Sequence, residues 1–164
     1  MIEAVAALAL APWTHPLRFR VLPGWRSGAN GTFDSSYGPG PDNASPKEST
    51  AWMVRGTRYR DRTTADPPEA TFSQLPRHAI VVFAVIYEAA SNAEKRIVLR
   101  FDRARRYPCC DGTHVAGGEY VLAGAGPAAA YSVNVRVYFG SSPTPSMRAA
   151  AQRALNRLEL PSPR

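Results

Sequence analysis

Cys109-Cys110-Asp111-Gly112-Thr113-His114 is the stretch of this sequence that gathers thiol, carboxylate and imidazole groups. Together these ligand types suit zinc or copper, and a turn at Gly112 would bring His114 back toward the cysteines. Geometry argues the other way. Neighbouring residues of an extended chain point to opposite sides, and closed zinc sites separate their cysteines by a few residues. Either cysteine could instead act as a nucleophile with His15, His78 or His114 as its base, a pairing that only spatial proximity establishes. The plainer reading is a loop with two unligated cysteines, because a disulfide between chain neighbours needs a strained ring.

Arginine offers the second chemistry. Lys47 and Lys95 are the only lysines, so arginine supplies nearly all the positive charge in a chain of formal net charge +7. Its guanidinium is always charged and presents a planar fork of donors to phosphate or carboxylate. Arg58, Arg60 and Arg62 recur at every second residue, so on a strand they would project from one face, with Trp52 and Tyr59 nearby to stack on bases. Arg103, Arg105 and Arg106 form a second basic group beside Cys109. Against an anionic groove stand Asp61, Asp66 and Glu69, which partly neutralise the first group, and the use of charge to guard exposed sheet edges. Abundant alanine, glycine and proline accompany the arginines, a composition that a GC-rich genome writes on any solvated surface.

No nucleophile-elbow serine, phosphate-cradling glycine loop with its lysine, paired-histidine metalloprotease motif or dinucleotide fingerprint occurs in the sequence. These absences point away from a dedicated enzyme, and no cofactor is expected. Asn30-Gly31-Thr32 and Asn43-Ala44-Ser45 match the glycosylation sequon, a triplet that short polar loops also produce by chance.

The elements that position these groups read as strands and turns. Leu17 to Leu22 alternates apolar and basic residues, so Leu17, Phe19 and Val21 should face a core while Arg18 and Arg20 face water, until Pro23-Gly24 stops the strand. Gly28 to Lys47 is rich in turn-forming residues and reads as a long surface loop. Thr50 to Tyr59 forms a second strand, with Gly56 at a bulge. Asp66-Pro67-Pro68-Glu69 has the capping pattern of a short helix near 67–75. Ala79 to Tyr87 is an unbroken apolar, β-branched run, the mark of a central strand covered on both faces, and Arg96 to Phe101 should return as its hairpin partner. Asp102 to Gly118 reads as a second long loop, which holds both cysteines. Glu119 to Leu122 is short and extended, with a turn at 124–127. Tyr131 to Phe139 alternates clearly, with Ser132, Asn134, Arg136 and Tyr138 outward. Thr144 caps a final helix near 145–158, whose stripe Met147, Ala151, Ala154, Leu155 and Leu158 faces inward while Arg148, Gln152, Arg153 and Arg157 face water.

A chain of 164 residues folds most naturally as one domain. The expected class is α+β, with a mainly antiparallel sheet of six or seven strands covered by helices. A β-sandwich with a C-terminal helix is the alternative. Residues 1–12 are expected to form a peripheral or processed segment; their apolar run lacks the basic n-region of a secretory signal, so the cytoplasm is the default expectation, with an extracytoplasmic location as the alternative. No apolar run reaches the roughly 18 residues of a membrane span.

Phe19-Arg20-Val21-Leu22-Pro23-Gly24-Trp25, Leu75-Pro76 before the apolar strand, Val137-Tyr138-Phe139-Gly140 and Leu155-Asn156-Arg157-Leu158 occur in an order similar to that in small domains of GC-rich bacteria. Their layout in turn resembles PsbP-like α+β domains, in which an opening strand ends in Pro-Gly-Trp and helices cover an antiparallel sheet. The matched pieces amount to under a third of the chain, and none is a catalytic motif. The resemblance implies a binding or accessory domain and assigns no functional residue. The leading expectation is therefore a non-enzymatic accessory or interaction domain with a protein partner. The alternatives are an arginine-rich binder of nucleic acid or another anionic polymer, and a metal- or thiol-dependent enzyme using Cys109, Cys110, Asp111 and His114.

Overall fold

The computed structural model of the chain describes residues 15, 17–30, 50–58, 75–87, 100–107, 117, 119–125 and 132–161. The elements, in chain order, are β1 (Arg18–Phe19), β2 (Arg26–Asn30), β3 (Thr50–Arg55), β4 (Ile80–Tyr87), a single 3₁₀ turn (Phe101–Arg103), β5 (Arg105–Tyr107), β6 (Glu119–Ala125), β7 (Ser132–Phe139), α1 (Pro145–Leu155) and β8 (Leu158–Glu159). Six strands form one sheet in the order β2-β3-β4-β7-β6-β5, every neighbouring pair antiparallel, and β1 and β8 make a separate two-stranded ribbon. This is the α+β architecture with a mainly antiparallel sheet, not a sandwich of two sheets.

Period-two alternation in β4 explains why it sits at the centre. Ile80, Val82, Ala84 and Ile86 turn to one face and pack with Met53, Val133, Val135, Val137 and Phe139, under Met147, Ala150, Ala151, Ala154 and Leu155 of α1. Val81, Phe83 and Val85 turn to the other face and pack with Val54, Tyr138, Trp52 and Leu75. Each of the valine, isoleucine and phenylalanine side chains removed from water contributes on the order of 1.5–3 kcal/mol, so a strand buried on both sides anchors the sheet. The same two-sided burial explains Tyr138, which the alternation of β7 places outward and which is in fact buried on the second face.

Several sequence expectations are corrected. The partners of β4 are β3, along Ile80–Val85, and β7, along its whole length, so Arg96–Phe101 is not its described hairpin partner. Phe101 instead opens the 3₁₀ turn, while residues 96–99 lie outside the described residues. Gly28 belongs to β2 rather than to a loop, Gly124 and Ala125 continue β6 rather than turn, and the stretch expected as a loop from Asp102 contains β5. In each case a neighbouring strand supplies backbone partners that a local reading cannot see. The helix expected near 67–75 falls, except for Leu75, outside the described residues, as does the segment 1–12.

The C-terminal helix begins as its cap predicts, with Thr144 Oγ1 accepting the Met147 N–H at 3.2 Å and Pro145 in the first turn. It ends earlier than the apolar stripe suggests. Asn156 closes α1, and Leu158 lies on β8 against Phe19, because a two-residue β1 cannot satisfy its own backbone and takes its partner from the chain that follows the helix. Gln152, expected in water, is half-buried: its Oε1 accepts the Phe101 N–H and its Nε2 donates to Asn156 Oδ1 at 3.0 Å. Replacing Gln152 with alanine strips the partner from a part-buried backbone N–H, and should cost about 1–2 kcal/mol in a urea unfolding curve. An unchanged midpoint would show that water replaces the amide without loss.

A candidate arginine-bearing interface

The β1–β8 ribbon is where arginines are brought together. Leu17 and Phe19 are buried in the core, so Arg18 and Arg20 point the opposite way. The strand was expected to keep Val21 inward, yet Val21 is 58% exposed. β1 ends at Phe19, and beyond Arg20 the chain folds into a turn in which the Trp25 N–H donates to the Leu22 carbonyl at 3.0 Å and Gly24 takes a φ of 75°. Pro23 followed by a left-handed glycine is the residue pair such a turn demands.

Register then sets the site. Arg18 pairs with Glu159 and Phe19 with Leu158, while the Arg20 N–H donates to the Arg157 carbonyl at 2.9 Å. Directly opposite residues share a face, so Arg18 and Glu159 lie on the outer side of the ribbon, where Arg20 also reaches Glu159, while Phe19 and Leu158 lie on the inner; Arg157 is exposed in the turn just before β8. Arg18 Nε donates to Glu159 Oε2 and Arg20 Nε to Oε1, so the two guanidiniums are bridged by one carboxylate. Glu159 is 17% exposed, against 53% for Arg18 and 71% for Arg20. Each guanidinium spends its Nε–H on Glu159, and among the described residues its terminal donors are left for another acceptor. Arg148 and Arg153 are exposed on α1, and among the described residues neither they nor Arg157 has an acidic partner.

The hydrogen bond from Arg18 holds the Glu159 carboxyl below its ordinary value of 4.5. Partial burial opposes this, and Arg20 reinforces the lowering. A carboxyl whose folded value is depressed contributes stability that is complete above the ordinary carboxylate range and is lost as pH falls through the folded value. Thermal melts of the wild type should therefore fall more steeply than those of Glu159→Gln between about pH 5 and pH 3. The difference should shrink in high salt, because both arginines are largely solvated. Parallel curves for the two proteins would show that the bridge adds nothing to folding.

The arginine groups read from the sequence fare differently. Arg58 is exposed and lies beyond β3, which ends at Arg55, the chain leaving the strand at Gly56, φ 71°, rather than continuing it to Tyr59. Arg60 and Arg62 lie outside the described residues. Trp52, proposed to stack on bases, packs instead across the sheet: it pairs with Gly28 on one side and Phe83 on the other, its ring over the position a Gly28 side chain would occupy. Arg105 and Arg106 are exposed on the edge strand β5, but as strand neighbours they point to opposite faces, Arg105 opposite Val121 and Arg106 opposite Tyr120. Arg103 sits in the 3₁₀ turn.

Cys109, Cys110, Asp111 and His114 lie outside the described residues. Among the described residues no three of His, Cys, Asp and Glu gather as a metal site would require, and no described helix is long and apolar enough to cross a membrane. Sequence reasoning read Arg18, Arg20 and Arg157 only as solvated positions and passed over Glu159. The usable signal was the matching alternation of Leu17-Arg18-Phe19-Arg20 and Arg157-Leu158-Glu159-Leu160, two short amphipathic strands far apart in the chain. No protein family, curated protein or solved structure matches the chain, so the resemblance to PsbP-like domains rests on the residues that carry it.

Proposed function

We propose that this chain is a non-enzymatic interaction domain that docks a partner protein on its arginine-bearing outer surface. The observation that carries this reading is the ribbon: where β1 pairs with β8, the Arg18 and Arg20 guanidiniums are held together on a single carboxylate, that of Glu159. Guanidiniums held on paired strands, with their backbone fixed by the core behind them, lose less freedom on binding than the same groups on a loop. Arginine is also the charged side chain most favoured at protein interfaces, for its bidentate donors and weak hydration.

The test is affinity capture with the protein from its own host, run beside the double variant Arg18→Ala/Arg20→Ala and repeated after nuclease digestion. A protein retained by the wild type, lost by the variant and indifferent to nuclease is the expected result. Retention that nuclease abolishes would transfer the surface to the second reading, a binder of nucleic acid or another anionic polymer, which the same always-charged guanidiniums would serve. That binding should weaken by orders of magnitude between about 50 and 200 mM salt. Equal retention by wild type and variant would remove the ribbon from either role.

A further inference from the structure

We propose that the partner contributes an acidic peptide segment, and that Glu159 is the built-in competitor this segment displaces from Arg18 and Arg20. The inference rests on the reading of the ribbon as a protein interface and names the chemistry that the interface accepts. Three observations support it. The Arg18–Arg20 pair already binds a carboxylate across both guanidiniums, so a partner carboxylate meets donors whose spacing is set for that group. Alternate residues of a strand stand about 6.8 Å apart, which is also the repeat of acidic side chains at every second position of an extended peptide. Among the described residues, the paired strands carry arginine and glutamate on their outer face, with Phe19 turned into the core, so they present no ring there on which a nucleic-acid base could stack.

Glu159 lies on the same face as the groups it holds, and the exposed Arg157, whose carbonyl accepts the Arg20 N–H, has no acidic partner among the described residues. In the free domain Glu159 keeps two guanidiniums ordered and partly neutralised. On docking, an incoming carboxylate takes its place on Arg18 and Arg20. Removing the Glu159 charge should therefore do two opposite things: weaken the fold locally and strengthen the binding of an acid.

The experiment is fluorescence anisotropy with a labelled octaglutamate peptide at low salt, on the folded full chain. The proteins are wild type, Glu159→Gln, Arg18→Gln/Arg20→Gln and Asp102→Asn. Asp102 pairs with Arg100 at 3.1 Å in the 3₁₀ turn, so its replacement makes the same change in net charge away from the Arg18–Arg20 pair. Glu159→Gln is expected to bind at least about fivefold tighter than wild type, and Asp102→Asn less than about twofold tighter. The double arginine variant should lose binding.

In case Glu159→Gln melts too low to assay, the arginine Nε resonances of the wild type give a second measurement, and octaglutamate should shift those of Arg18 and Arg20. If the wild type binds but Glu159→Gln gains no more than Asp102→Asn, displacement is wrong while the interface stands. If no folded variant binds octaglutamate, and neither Nε resonance moves, the acidic-partner reading falls. A labelled oligonucleotide that shows the Glu159→Gln gain when octaglutamate does not would overturn the proposal in favour of a phosphate polymer.

Discussion

Replacing Gly140 with alanine should destabilise the domain by about 3 kcal/mol or more, and lower its melting temperature by roughly 6–12 °C. The methyl group would stand 1.8 Å from the Pro76 carbonyl oxygen, 2.6 Å from its carbon and 2.9 Å from the Leu75 carbonyl oxygen. All three are backbone atoms, so no rotamer change relieves the contact. The Pro76–Ala79 turn packs here against the end of β7: the Ala79 N–H donates to the Pro76 carbonyl at 2.7 Å, and the Gly140 N–H donates to the Ala79 carbonyl at 3.1 Å. Separating the two segments to admit a methyl would stretch both bonds at the point where β4 starts and β7 ends. Differential scanning calorimetry of Gly140→Ala beside the wild type checks this, and a midpoint within about 2 °C of wild type would show that the turn is free to move.

Phe139→Ala should cost about 3–5 kcal/mol, the range for a large ring removed from a packed core. Phe139 is fully buried and lies between two other rings, edge-on to Tyr120 at 5.6 Å and to Phe101 at 5.9 Å, while Phe101 and Tyr120 are 5.2 Å apart. These edge-to-face contacts add to the burial itself. They also join three elements, since Phe101 belongs to the 3₁₀ turn, Tyr120 to β6 and Phe139 to β7. Loss of the central ring should therefore loosen the 3₁₀ turn from α1 as well as create a cavity. Guanidinium unfolding gives the energy, and faster amide exchange at Phe101 than the global loss explains would report the loosened turn. If Phe139→Ala loses no more than about 1 kcal/mol, the two flanking rings collapse into the space and the cluster is not the anchor described.

Much of the sheet was legible in the residues. The apolar run at 79–87 announces β4 because burial on both faces requires apolar residues at every position, and the alternation at 131–139 announces β7 because one face meets the helix. Thr144-Pro145 marks the start of α1 because the cap and the first-turn proline act within a few residues. Where the deciding contact came from elsewhere in the chain, local pattern misled. Gly28 reads as loop, yet it lies in β2 because the Trp52 ring covers the space its missing side chain leaves. Leu158 fits the helical stripe, yet it lies in β8 because Phe19 needs a strand partner. Tyr138 alternates outward, yet it is buried because the second face of the sheet is packed too.

The arginine site divides along the same line. Composition alone establishes that the chain is basic through arginine, and local alternation establishes which side of each short strand the arginines take. Only the tertiary structure places Arg18 and Arg20 against Arg157 and Glu159, because a pairing across more than a hundred residues is selected by the core beneath it. Phe19 and Leu158 must both face inward, and that shared requirement sets the register that bridges two guanidiniums with one carboxylate.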